Sequence, residues 1–138
     1  MRDPKRSELS VEGPPGDRWD LGIRLLTEGR ARVMVGELLI YREWKGPAPD
    51  PAAPLVVEVD GSHWWRPALP PDYRRDRAEN QLADAMTRTA ELGRADPRFA
   101  TLMTEHGVRF ELVDDYGNGA IVLAERSSEG AVRWLDDR

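Results

Sequence analysis

Apolar and polar residues alternate along much of the first half of the chain with a period of two. This is the pattern of a strand with one buried face. Between Asp20 and Arg66 it predicts a series of strands, separated by turns at Glu28-Gly29, Gly36-Glu37 and Asp60-Gly61. Asp60-Gly61 is a strong hairpin signal, so residues 62–66 are expected to pair back onto residues 55–59. The predicted strand segments are 21–26, 30–35, 38–42, 55–59 and 62–66, and the segment 38–42 could instead continue 30–35 through a bulge at Gly36.

The period changes to that of a helix after Pro70-Pro71. An apolar stripe with 3.6-residue spacing predicts a helix over about 72–92, which ends at Gly93. Asp96 as the N-cap, Pro97 at the first position and Gly107 at the stop predict a second helix over 97–106. The stripe of the first helix consists of Ala78, Leu82, Ala85, Met86, Thr89 and Leu92.

Alternation returns after the second helix, at 108–113, 120–124 and 131–135, and predicts a C-terminal meander. The fold expected is α+β, with a mainly antiparallel sheet of about seven to eight strands and two consecutive helices between the N-terminal strand group and the meander. Residues 1–17 carry mixed charges, prolines and glycines without periodicity, and predict a flexible tail. Residues 18–138 are expected to form one α+β domain.

Composition narrows the function classes. The chain has 138 residues and no cysteine, which excludes disulfides, thiolate metal sites and cysteine nucleophiles. The N-terminal residues lead into no apolar stretch, and no apolar run approaches the ~20 residues of a membrane span. We therefore expect a cytoplasmic protein without a membrane contact.

The chain is acidic, with a formal net charge of -5. Its cationic residues are nearly all arginine, but they form no continuous basic block. An acidic domain is repelled by a phosphate backbone unless its arginines cluster locally, so the charge argues against nucleic acid as a partner. An acidic surface suits a basic protein partner instead, such as a nuclease toxin.

Glu58, Asp60 and His63 are the first candidate site. Glu58 and Asp60 are two apart on a predicted strand and share a face, and His63 follows the turn. Two carboxylates and an imidazole are suitable ligands for a divalent metal. Asp60 is equally explained by the Asp-Gly turn, and Glu58 by a solvent-facing strand position.

The same stretch resembles part of a nuclease family. Residues 55–63, then Asp76-Arg77 and Asn80 on a helix, then residues 107–110, are similar to the second half of very-short-patch-repair-like endonuclease domains of the PD-(D/E)xK type. The resemblance implies that Glu58 and Asp60 are metal ligands, with His63 nearby. It covers about a third of the chain. The family also has an Asp on the preceding strand, whereas Asp50 lies here in a proline-rich loop.

Trp64 and Trp65 form the second candidate site. Neighbouring residues on a strand face opposite sides, so one of the two indoles is expected to point away from the core. Exposed tryptophan and arginine are favoured anchors of protein interfaces. Arg66 and Arg42 lie beside this pair in the predicted sheet. The alternative is a purely structural role, in which the proline-rich loop covers the outward tryptophan.

The third candidate is the turn at residues 114–119, rich in Asp, Asn and Gly. It lacks the alternating oxygen ligands and distal Glu of a calcium loop, so we interpret it as a hairpin connection with Tyr116 exposed at its tip.

The sequence thus leaves two main hypotheses. The first is a non-catalytic binding protein, of the inhibitor, immunity or accessory type, that presents Trp64, Trp65, Arg66, Arg42 and Tyr116 to a protein partner. It needs no cofactor and no metal. The alternative is a metal-dependent phosphodiesterase or endonuclease that uses Glu58, Asp60 and His63. A third, weaker option is a small-molecule pocket lined by Trp65 and Phe99. The oligomeric state, a homodimer included, stays open.

Overall fold

A computed structural model describes residues 7–43, 50, 52–66, 68–114 and 121–135. These residues form one sheet of seven strands, which follow one another in the sheet in the same order as in the chain. The strands are β1 (Ser7–Val11), β2 (Ala31–Val35), β3 (Leu38–Arg42), β4 (Leu55–Asp60), β5 (Val108–Asp114), β6 (Ile121–Ser127) and β7 (Arg133–Trp134). The helices are α1 (Asp17–Glu28), α2 (Pro71–Ala95) and α3 (Pro97–His106).

The sheet is mixed. β1 pairs with β2 and β4 pairs with β5 in parallel, while the other neighbours are antiparallel. A parallel pair needs a crossover connection, and the helices supply both: α1 between β1 and β2, and α2 with α3 between β4 and β5. The α+β class and the two consecutive helices are confirmed, whereas the expectation of a mainly antiparallel sheet misses both parallel pairs.

The N-terminal region differs most from the prediction. Residues 21–26, predicted as a strand, belong to α1, and Ser7–Val11, placed in the predicted tail, form the edge strand β1. The residues of α1 that are buried, Trp19, Ile23 and Leu26, have the spacing of a helix. The alternation of Leu21, Ile23 and Leu25 suits a strand. The side chains that are buried have the 3.6-residue period instead, so the segment is a helix.

The predicted hairpin at Asp60-Gly61 is also wrong. β3 and β5 already occupy both sides of β4, so residues 62–66 have no free strand edge to pair with. They turn instead: the backbone N–H groups of Trp64 and Trp65 both donate to the carbonyl of Gly61, at 3.2 and 2.9 Å. Asp60 Oδ1 accepts from the backbone N–H of Ser62 at 2.9 Å and from its hydroxyl at 2.6 Å. The Asp60 carboxylate therefore holds a turn.

The core lies between the helices and one face of the sheet. Alternate residues of β2 to β5, such as Val33, Ile40, Val57 and Phe110, join one cluster with side chains from all three helices. Ala78, Leu82 and Ala85 of the predicted α2 stripe are fully buried or nearly so. The residues of opposite parity, Glu58 and Glu111 among them, therefore face away from the helices.

The carboxyl ends of β1, β2, β4 and β5 meet at one edge of the sheet, because these strands run in the same direction. α1 and α2 begin at this carboxyl edge. In open sheets with parallel strands, ligands are commonly bound outside the carboxyl ends of the strands. Of the helices in the described ranges, none combines the length and the apolar character needed to cross a membrane.

Candidate functional site

Arginine and tryptophan side chains gather where β4 leads into α2. Trp64 and Trp65 come from the turn after β4, Trp134 from β7, and Arg74, Arg75 and Arg77 from the first turns of α2. We call these six residues the arginine–tryptophan cluster. Because Trp64 and Trp65 lie in a turn and not on a strand, both can point inward, and they are only 8% and 7% exposed. The prediction that one of them faces away from the core is therefore wrong.

The three indoles contact one another in a row, Trp64 with Trp65 and Trp65 with Trp134. The ring centroids of Trp64 and Trp65 are 5.6 Å apart in an edge-to-face arrangement, and those of Trp65 and Trp134 are 6.4 Å apart and stacked. Each indole carries one guanidinium over its face, within cation–π distance. The distances from guanidinium carbon to ring centroid are 5.3 Å for Arg77 and Trp64, 5.2 Å for Arg74 and Trp65, and 5.5 Å for Arg75 and Trp134.

Polar atoms of the cluster lack partners in the described part of the chain. The Nε1 atoms of Trp64 and Trp65 and the Nε and Nη1 atoms of Arg74 are buried and form no hydrogen bond. Arg74 is 6% exposed. No arginine of the cluster forms an ion pair with a described carboxylate. A buried charge without a partner carries a large desolvation cost, so this arrangement is unusual for a purely structural site.

A groove of about 480 Å³ adjoins the cluster at the carboxyl edge. It lies between the β2–β3 turn, the end of β4 and the middle of α2. Cationic and acidic side chains both line it, and the buried Oε1 atom of Gln81 has no partner within the described residues. Its polar and charged lining comprises Glu37, Asp60, His63, Arg77, Gln81, Asp84 and Arg88.

Glu58, Asp60 and His63 do not assemble into a metal site. Glu58 Oε1 accepts a 2.6 Å hydrogen bond from the hydroxyl of Tyr41, and Arg32 lies 3.7 Å from its other oxygen. His63 Nε2 is 3.6 Å from Asp60 Oδ2, but the imidazole is 85% exposed. Among the residues that the structure describes, no group of three or more His, Cys, Asp or Glu side chains could hold a metal ion.

Glu58 belongs instead to a charged network on the sheet face away from the helices. Glu111 is its partner in the parallel register of β4 and β5, and both are buried. Arg109 donates to Glu111 at 2.8 Å and to Glu43 at 3.1 Å. Burial raises the pKa of Glu111 above its ordinary value, and the Arg109 hydrogen bond opposes that rise. Burial likewise raises the pKa of Tyr41. Glu58 and Glu111 are each held by side chains of the sheet, Glu58 by Tyr41 and Arg32 and Glu111 by Arg109.

Arg42 and Arg66, two predicted binding residues, differ in their surroundings. Arg42 is buried, and its guanidinium donates to the carbonyls of Ala53, Thr27 and Asp50 at 2.8, 3.1 and 3.0 Å. Burial lowers its pKa. It holds loop and helix backbone together and is not offered to a partner. Arg66 is exposed, and among the described residues its side chain donates to the carbonyl of His63 alone, at 3.3 Å. Tyr116 lies outside the described residues.

Sequence reasoning missed Arg74, Arg75, Arg77 and Trp134. A signal was present: Arg74-Arg75-Asp76-Arg77 places three arginines in the first turns of a predicted helix, a few residues after Trp64-Trp65. Trp134 could not be added from its position in the chain, because only the sheet order brings β7 beside this region. Comparisons with protein-family models, with curated proteins and with solved structures each return no match.

Proposed function

We propose that this protein is a non-catalytic binding protein, and that it contacts a protein partner through the arginine–tryptophan cluster. The observation that carries the proposal is the stack of three arginines on three tryptophans without an ion pair to a described carboxylate. Tryptophan and arginine are the residues most enriched among the energetically dominant contacts of interfaces. Here they are held in fixed positions before any partner arrives.

Two exposed apolar residues next to the cluster in the chain support the same proposal. Leu135, next to Trp134, is 43% exposed, and Tyr73, next to Arg74, is 47% exposed. Together with Ile121 they are the exposed large apolar residues of the described part of the chain. Two of these three therefore adjoin the cluster in sequence. Sequence neighbours of the cluster are therefore among the exposed apolar residues that a partner could cover.

The contact group of the partner is proposed to be acidic. Three exposed arginines, Arg66, Arg75 and Arg77, form no ion pair with a described carboxylate. They can therefore donate hydrogen bonds to carboxylates of a partner. The net charge of -5 favoured a basic partner when the sequence was considered as a whole. The local surface around the cluster has the opposite preference, and specificity follows local complementarity more than net charge.

Affinity capture with matched variants tests the proposal. The immobilised protein is exposed to lysate of its own source cells, and bound proteins are quantified by mass spectrometry. Arg75→Glu alters an exposed residue of the cluster and Leu135→Ala the exposed residue that follows Trp134, while Ile121→Ala removes an equally exposed apolar side chain at the start of β6. We expect a protein retained by wild type and by Ile121→Ala, and retained at least about tenfold less by Arg75→Glu.

The proposal fails if Arg75→Glu and Leu135→Ala retain the same proteins in the same amounts as wild type. Circular dichroism of each variant confirms that it is folded, so that a loss of capture reports on the surface.

A further inference from the structure

We infer that Arg74, Trp64 and Trp65 form an oxyanion-binding pocket within the arginine–tryptophan cluster, which takes one phosphate- or carboxylate-type group. The inference deepens the proposed function and rests on it only for the source of the group, namely a side chain or terminus of the partner. The pocket itself depends on the buried donor atoms of these three residues that have no acceptor among the described residues.

Unpaired buried atoms in the described residues are nearly all donors. Six of the seven are N–H groups, and Gln81 Oε1 is the one acceptor. Four of the six donors belong to Trp64, Trp65 and Arg74. Guanidinium and indole groups can only donate, so these side chains cannot satisfy one another. The component missing from the described residues is an acceptor, and we assign it to a bound ligand.

Three guanidinium groups lie close together at this point. The guanidinium of Arg74 lies 5.2 Å from the ring centroid of Trp65, and Arg75 and Arg77 flank it on the same helix. α2 begins at Pro71, so the positive end of the helix dipole adds to the field. The acidic residues of these turns, Asp72 and Asp76, are exposed and form no ion pair with the arginines.

Arg42 and Arg32 do not share this condition, although the Nε atom of Arg126 is also buried and without a partner among the described residues. Arg42 donates to three backbone carbonyls, and Arg32, whose Nε is unpaired, lies 3.7 Å from Glu58. Arg74 has neither a carbonyl nor a carboxylate among the described residues. A planar guanidinium presents parallel N–H groups that match two oxygens of a carboxylate or phosphate, so an oxyanion fits better than a neutral acceptor.

Titration with inorganic phosphate, followed by ¹⁵N NMR of the indole N–H signals, tests the pocket. Sodium chloride at matched ionic strength is the reference, and Trp64→Phe and Trp65→Phe assign the two signals. We expect both signals to shift saturably with phosphate and not with chloride. The Trp19 signal serves as an internal control, because its Nε1 already donates to Asp96 at 2.6 Å.

Arginine variants locate the binding. Arg74→Met is expected to weaken phosphate binding at least about tenfold, because a charge-assisted pair is lost. Arg74→Lys keeps the charge but loses the planar fork, and is expected to bind with intermediate affinity; it also serves if Arg74→Met does not fold. Arg24→Met on α1 removes an exposed arginine elsewhere and is expected to bind like wild type.

The pocket is refuted if phosphate causes no saturable shift, if chloride causes the same shift, or if both Arg74 variants bind as wild type does. The source of the oxyanion is tested separately. A group carried by the partner predicts that phosphate displaces the captured protein, whereas a free anion predicts that phosphate binds and capture is unchanged. Failure of capture alone overturns the proposed protein contact and leaves the pocket supported by the indole shifts.

Discussion

Two regions of this molecule combine buried tryptophan with arginine, and they differ in one component. At the junction of α1 and α3, Trp19 Nε1 donates to Asp96 Oδ2 at 2.6 Å, and Arg98 donates to both oxygens of the same carboxylate. Asp96 Oδ1 also accepts from the backbone N–H of Arg98 at 2.9 Å and so caps α3. In the arginine–tryptophan cluster the same donor types are present, but no described carboxylate meets them.

The difference separates a structural joint from a site that can accept a ligand. Asp96 is 6% exposed and lies at the junction of α2 and α3. Its carboxylate connects this junction to α1 through Trp19 and to α3 through Arg98. Trp19 further packs on Phe99, with ring centroids 5.7 Å apart. Every donor aimed at Asp96 has its acceptor inside the molecule. The unpaired donors of the cluster have no acceptor among the described residues, and we propose that a ligand supplies one.

Removal of the shared carboxylate is the largest expected effect. Asp96→Ala leaves the Trp19 and Arg98 donors without their acceptor and removes the cap of α3. We expect a loss of about 3 kcal/mol in the free energy of unfolding, measured with urea. Asp20→Ala is the control, because Asp20 is 56% exposed although it accepts from Arg98 at 2.6 Å. A surface pair of this kind contributes at most about 1 kcal/mol. Equal losses in the two variants would contradict the joint.

Acid should weaken the joint over a defined range. The hydrogen bond from Arg98, followed by that from Trp19, lowers the pKa of Asp96 to about 2 from an ordinary value of 3.8. A lowered pKa stabilises the fold above the unfolded value, and this contribution is lost as the pH falls from about 4 to about 2. The expected loss is about 2 kcal/mol. Urea unfolding of wild type and Asp96→Asn at several pH values checks this, since the variant should lack that component. Identical pH profiles would count against it.

Matched tryptophan substitutions give the smallest expected effect. Trp19→Phe removes a donor that has a partner, whereas Trp65→Phe removes one that has none in the described residues. We expect Trp19→Phe to cost about 1–2 kcal/mol more than Trp65→Phe, because loss of a satisfied donor leaves Asp96 underpaired. Thermal and urea unfolding of both variants provide the comparison. A larger loss in the free energy of unfolding for Trp65→Phe than for Trp19→Phe would contradict the view that Trp19 belongs to the structural joint and Trp65 to the ligand site.

Elements with a strong local signal could be predicted from the sequence. The strands β2 to β6, the long helix α2 and the capped helix α3 all follow from periodicity and turn residues. α1 was missed although its signal was present: Asp17 and Asp20 lie in its first turn and Gly29 ends it in the left-handed conformation, with φ 68°. Leu21, Ile23 and Leu25 fit the period of a strand, whereas Trp19, Ile23 and Leu26 fit that of a helix, and the second set is the one that is buried.

The remaining elements depend on distant partners. β1 is a short strand that exists because β2 lies beside it in parallel, and no local pattern shows that pairing. Trp64 and Trp65 could be identified as binding candidates from residue type. Their orientation could not be predicted, because it follows from the absence of a free edge on β4 and from the turn at Gly61.

The unpaired donors of the cluster are proposed to bind an oxyanion. The free energy of unfolding measured in phosphate tests this most directly. Urea unfolding of wild type and Arg74→Met is measured in phosphate and in chloride at equal ionic strength. Phosphate at ten times its dissociation constant should stabilise wild type by about 1.4 kcal/mol and leave Arg74→Met unchanged. In chloride, Arg74→Met should be at least as stable as wild type, since it removes an unpaired buried charge. If phosphate stabilises neither protein, or both equally, the account is contradicted.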